Sequence, residues 1–209
     1  MSETSEGANA PRAWQRMLSG RRLDLLNPSP ADIAIEDIAH GLARVARWNG
    51  QTIGEHALSV AQHSLIVTDI TRATHTDWEC RWLLAALLHD ASEYVVGDLI
   101  SPFKAAIGLD YKAFEIRLQG AIHERFGLPR TLPAEVTAAV KSADRIAAFH
   151  EATRLAGFAE EEARRFFCGG AVPTGLTIRI DELSAWPPAL AQERFLMAFA
   201  ALSVLSRPA

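Results

Sequence analysis

The sequence predicts an all-α fold, and three features predict it. Apolar residues recur at three- and four-residue spacing through most of the chain, helix start and stop signals bracket these runs, and almost no stretch alternates apolar with polar. With 209 residues, 49% of them hydrophobic, the chain can bury one sizeable core. We expect one domain over 13–209 behind a disordered tail at 1–12 that is rich in Ser, Glu, Gly and Ala.

Each element follows from local signals. After the punctuation Asn27-Pro28-Ser29-Pro30, the residues Ile33, Ile35, Ile38, Leu42, Val45 and Trp48 share one helix face, ending near Asn49-Gly50. Thr52 and Glu55 have the spacing of a capping box and predict a long helix through about Arg72. Asp77 is a candidate cap for a broadly apolar helix containing Trp78, Trp82, Leu83, Ala86, Leu87 and Leu88, the pattern of a central, enclosed element. Gly97, Pro102 and Gly108 break the next segment into a loop. Tyr111 to Phe126 is helical in pattern and stops at Gly127, and Ala134 to Leu155 carries a further helix with Asp144 toward its middle. The charged run Glu160 to Arg165 reads as a solvated helix face, Leu176 to Ile180 as an extended piece, and Pro187-Pro188 as the start of a terminal helix to about Leu205.

Composition narrows the function classes. A formal charge of -4 and a pI near 6.0 provide no broad basic field, which argues against a nucleic-acid duplex and leaves small anionic substrates in play. Cys80 and Cys168 form neither a disulfide framework nor a thiolate metal site, so a reducing cytoplasm is the expected compartment. The apolar stretches Trp82 to Leu88 and Phe195 to Leu205 fall short of the ~20 residues of a membrane span, so no membrane partner is expected.

The chemistry centres on Leu87-Leu88-His89-Asp90-Ala91-Ser92-Glu93. Seven His and ten Asp in this chain yield about 0.3 His-Asp pairs by chance, so the dipeptide alone says little. Its setting says more: on a helix, His89 and Glu93 are four apart and Asp90 and Glu93 three apart, so a ring and two carboxylates converge at one end of an apolar element. Such groups are costly to bury unpaired, and a divalent cation resolves that cost. The ordinary alternative is a polar turn facing water.

The ordered set Ser59-Val-Ala-Gln-His63-Ser, Leu88-His89-Asp90-Ala-Ser-Glu93, Gly97-Asp98-Leu and Ala143-Asp144 resembles the motifs of the HD-domain phosphohydrolases, a superfamily of HD-type helix bundles, and most closely its 5′-deoxynucleotidase-like branch. Arg47-Trp48 and Ser101-Pro102-Phe103-Lys104 extend the resemblance over about 33–155. It implies one divalent metal ion, with Mn, Co, Zn, Fe and Mg undistinguished, held by His63, His89, Asp90 and Asp144. Glu93 and Asp98 would flank the reacting phosphate as catalytic groups. Glu55-His56-Ala57-Leu58 also resembles the first histidine motif, so His56 is an alternative to His63, which has the closer context.

Three substrate contacts are expected. Arg47 is a planar, permanently charged fork suited to phosphate oxygens, Lys104 a point charge, and Trp48 an indole for sugar or base; each has a bland reading as surface charge or core packing. The implied activity is hydrolysis of a phosphate monoester, a (deoxy)nucleoside 5′-monophosphate, by metal-activated water. The alternatives are an HD phosphodiesterase or alarmone hydrolase and, from another class, a non-catalytic metal- or nucleotide-binding helical protein. A homodimer is left open.

Overall fold

The computed structural model describes residues 13–98, 109–167, 174–178 and 180–205. The expected tail at 1–12 and the segment with Lys104 lie outside them. The order is a hairpin of β1 (Trp14–Arg16) and β2 (Arg22–Asp24), then α1 (Ile35–Leu42), α2 (Val60–Thr74), α3 (Cys80–Leu87), the short α4 (Glu93–Val96), α5 (Leu109–Arg125), α6 (Ala134–Arg154), α7 (Glu160–Phe167) and α8 (Pro188–Leu205). The all-α bundle is therefore observed, with a small antiparallel hairpin that the sequence pattern does not announce. Its turn is anchored where Ser19 donates through backbone N–H and hydroxyl to the buried carboxylate of Asp37 on α1, at 2.9 and 2.5 Å.

Helix α2 is the axis of the bundle. It packs against α3, α6 and α8, and its apolar residues Val60, Ala61, Ile66, Val67 and Ile70 are buried. Each fully buried Val or Ile contributes roughly 1.5–3 kcal/mol relative to exposure. The helix begins later than the Thr52 capping box predicts: Ser59 is the N-cap, its hydroxyl accepting from Gln62 N at 3.2 Å, and residues 51–57 are loop. Backbone pairing explains the shift. Arg47 N donates to Leu58 O, Val60 N to Val45 O and Ile53 N to Leu155 O, so the segment is engaged with its neighbours before a helix can start.

The same pairing ends α1 early, at Leu42, and sends 47–50 into a left-handed turn in which Trp48, Asn49 and Gly50 have φ of +58°, +50° and +74°. Helix α3 starts at Cys80 rather than after Asp77 and leaves the helical path at His89, so α4 is a separate turn. Helices α5 to α8 match the sequence reading closely, with Gly127 at φ +77° ending α5.

The polar residues of α2 fasten the C-terminal third. Asp69 accepts from Thr177 N at 2.6 Å and Ile178 N at 2.8 Å, while Gln62 donates to Ser184 O and accepts from Trp186 N. Thr177 and Ile178 form bends rather than a strand, with their amides spent on one side chain. Helix α8 covers α1, α2 and α3, burying Ala191, Phe195 and Leu202. At 18 residues it is longer than its apolar C-terminal run and, by length and composition, apolar enough to cross a membrane.

Candidate metal centre

Three elements bring the predicted ligands together. His63 lies in the first turn of α2, His89 and Asp90 in the turn between α3 and α4, and Asp144 midway along α6. One ligand atom each from His63, His89 and Asp90 lies within 4.8 Å of the others, and the two imidazole rings stand 5.2 Å apart. Asp144 Oδ1 is 3.2 Å from His63 Nε2, and Asp90 Oδ2 is 3.0 Å from His89 Nε2 and 3.7 Å from His63 Nε2.

The second nitrogen of each ring fixes its tautomer. His89 Nδ1 donates to Ala86 O at 2.9 Å, and His63 Nδ1 donates to Glu151 Oε1 at 2.6 Å. A carbonyl and a carboxylate can only accept, so in the neutral rings Nε2 carries the lone pair on both histidines. Both Nε2 atoms are shielded from solvent, complete no hydrogen bond, and face carboxylates. Two imidazole lone pairs aimed at two carboxylates are a donor set suited to a divalent cation, so the residues fit the implied metal. His56 lies in the loop before α2, outside this group.

Electrostatics reinforce the arrangement. Burial and Arg47 push the His63 pKa down, but the carboxylates of Glu151 and Asp144 outweigh them and raise it to about 10 without metal. A cation would take the place of that proton. Burial opposes ionisation of Asp90, yet His89, His63 and Arg47 hold its carboxyl well below the usual range. Asp144 is likewise lowered, chiefly by His63 working against burial.

Glu151 is the residue that sequence reasoning missed. It is fully buried on α6, and besides His63 it accepts from Arg47 Nε at 2.9 Å and Trp48 Nε1 at 3.2 Å. Burial works against its charge, but Arg47 and His63 lower its pKa to about 2. The available signal was its spacing from Asp144: seven residues is nearly two helical turns, which puts both carboxylates on one face of α6.

Arg47 is committed more deeply than its predicted phosphate role requires. Beside Glu151, its guanidinium stands 3.8 Å from both Asp90 and Asp98, so it neutralises one wall of the site. Asp98 thus joins the cluster through Arg47, and Glu93 is buried at the start of α4. The Trp48 indole is held by Glu151 and packs against Phe158 and Phe167, with centroids 5.7 and 5.4 Å away. These contacts hold a bulky residue at positive φ, a conformation that costs roughly 1–2 kcal/mol.

Comparison with known proteins finds a matching family model and relatives of this chain. A family model described as 5′-deoxynucleotidase YfbR-like matches residues 39–115, from within α1 past the His89-Asp90 turn and into α5, with Asp144 and Glu151 of α6 beyond it. An uncharacterized protein of Rhodobacter capsulatus is 59% identical over 172 residues, covering 81% of this chain and 87% of the relative. The uncharacterized protein YfdR of Escherichia coli is 33% identical over 105 residues, half of this chain and 53% of its own length. The stretch matched by the family model holds His63 of α2 and the His89-Asp90 turn, and the chain carries there the pattern of the HD superfamily in its 5′-deoxynucleotidase-like branch.

Proposed function

We propose that this protein hydrolyses nucleoside 5′-monophosphates, deoxyribonucleotides first among them, to nucleoside and inorganic phosphate. The observation that carries the reading is the pair of solvent-shielded Nε2 atoms of His63 and His89, facing Asp90 and Asp144 and completing no hydrogen bond. The match to the YfbR-like 5′-deoxynucleotidase family model supports the phosphohydrolase class.

In this reading His63, His89, Asp90 and Asp144 hold one divalent cation, which when bound supplies Lewis-acid polarisation of a phosphoryl oxygen and makes a water more acidic. Glu93 orients the attacking water and receives its proton. Asp98, ion-paired with Arg47, helps to orient that water, and the proton taken up by Glu93 passes to the leaving 5′-alkoxide. Arg47, charged at any accessible pH, stabilises negative charge on the transferring phosphoryl group. Trp48 contributes an apolar edge toward the sugar, and Lys104 a further positive charge. Glu151 holds the His63 ring so that Nε2 faces the centre.

The test is phosphate release by metal-loaded protein from a panel of deoxy- and ribonucleoside 5′-monophosphates, 3′-monophosphates, an aryl phosphodiester and an alarmone. Deoxynucleoside 5′-monophosphates are expected to turn over fastest, and Asp90→Ala to abolish turnover and metal retention together. Diester cleavage without monoesterase activity would assign the phosphodiesterase chemistry of other HD proteins. Binding without turnover of any panel member would make the chain a non-catalytic nucleotide-binding protein.

A further inference from the structure

Adjacent residues on a continuous α-helix point about 100° apart, so His89 and Asp90 could not both reach one ion from a regular helix. In this chain they do converge, because the helix is opened between α3 and α4. A continuous helix would pair Ser92 N with Leu88 O, the i to i−4 bond spanning His89, Asp90 and Ala91. That bond is absent. Instead the carboxamide of Gln119, reaching across from α5, stands between its two ends: Ser92 N donates to Gln119 Oε1 at 3.1 Å, and Gln119 Nε2 donates to Leu88 O at 2.7 Å. A side chain inserted into the ladder is a recognised cause of a break, and the surrounding bonds tighten to the i−3 type, Ala91 N to Leu88 O and Glu93 N to Asp90 O, both at 3.0 Å.

The orientation of the carboxamide is chemically determined. An amide N–H at Ser92 requires the oxygen on that side, and a carbonyl at Leu88 requires the nitrogen on the other. The second hydrogen of Gln119 Nε2 then meets His123 Nε2 at 2.9 Å, one turn along α5, so that nitrogen must accept. His123 carries its proton on Nδ1, directed at Arg130 O 3.3 Å away, and is buried. Burial also lowers its pKa, in keeping with a neutral ring. A neutral His123 therefore orients Gln119, which spans the ligand-bearing turn.

We propose that Gln119 is a positioning residue that holds the His89-Asp90 turn open in its metal-binding shape, and that His123 locks the direction of its carboxamide. The role rests on the metal-centre reading above, and a metal-independent measurement separates the two.

The experiment titrates cobalt(II) alone into chelator-treated protein and follows visible absorption, for wild type, Gln119→Leu, His123→Leu and His123→Gln. Amide exchange at Ser92 is measured in the same metal-free proteins. Gln119→Leu is expected to bind cobalt at least tenfold more weakly with altered bands, and His123→Leu to shift in the same direction. His123→Gln, which again offers an oxygen acceptor, is expected to restore the wild-type spectrum. A folded Gln119→Leu with wild-type affinity and bands overturns the proposal. Should Gln119→Leu not fold, Gln119→Glu takes its place, since an ionised carboxylate accepts from Ser92 but cannot donate to Leu88; wild-type cobalt binding there overturns the proposal equally. If wild type itself takes up no cobalt, the metal reading fails while the positioning role is still decided by Ser92: faster exchange in Gln119→Leu supports it, and unchanged exchange removes it.

Discussion

A carboxylate offers about four acceptor directions, and Glu151 uses three of them on donors from two other elements, His63, Arg47 and Trp48. One side chain thereby sets the tautomer of a candidate ligand, fixes a guanidinium beside Asp90 and Asp98, and holds an indole in a strained turn. A neutral amide of the same shape has one acceptor oxygen, and its NH₂ group would confront a donor. Glu151→Gln is expected to weaken metal binding by about 10- to 100-fold, the usual penalty for disturbing a histidine's supporting partner. It should also destabilise the fold by on the order of 3 kcal/mol, because Arg47 loses its fully buried counter-charge. Metal titration and urea unfolding of the variant measure the two effects; a metal affinity equal to wild type would mean that His63 is oriented by packing alone. That His63, His89, Asp90 and Asp144 come together was legible in the sequence because each sits in an ordered local motif. Glu151 was not, because a charged residue among Ala148, Ala152 and Arg154 reads as a solvated helix position until its partners on α2 and the 47–50 turn are known.

At the scale of elements, the readable parts are those decided by local chemistry. Helices α6 and α8 begin at proline signals and run as far as their periodicity, and α5 stops at a glycine. The misread parts are those where another segment of chain intervenes: the pairing of 45–47 with 58–60 shortens α1 and delays α2, and the Gln119 carboxamide divides α3 from α4. Gly97 shows how finely these junctions are set. It follows α4 with φ +76° and ψ 163°, a region essentially reserved to glycine, and leads directly into Asp98. A methyl group here would meet no atom within 4 Å, so the cost of Gly97→Ala is one of backbone conformation alone. The expected loss is about 1–3 kcal/mol in urea unfolding, with a fall in the proposed phosphatase turnover at temperatures where the variant is fully folded, since relief of the strain would carry Asp98 away from Arg47. An unchanged unfolding midpoint would mean that the junction adapts without strain.

For the molecule as a whole, the candidate metal centre draws on segments far apart in sequence, and the last helix closes the core behind them. Helix α8 touches α1, α2 and α3, and Phe195 is fully buried at its middle, while Met197 and Val204 are exposed on its other face. Gln62 and Asp69 fasten 177–186 to the helix that carries His63, so the C-terminal third shares a framework with the site although it holds none of the proposed ligands. This architecture implies one cooperative unit rather than a site-bearing half with an independent appendage. Phe195→Ala tests that implication, because a cavity under α8 should cost about 3–5 kcal/mol and be felt at the metal centre through α2 and α3. Far-UV circular dichroism, tryptophan fluorescence and loss of bound metal are expected to report one shared transition, moved to lower urea by the same amount in each signal. If metal release instead kept its wild-type midpoint while helix content fell earlier, α8 would be a separable layer, and the core around His63 would extend no further than α2, α3 and α6.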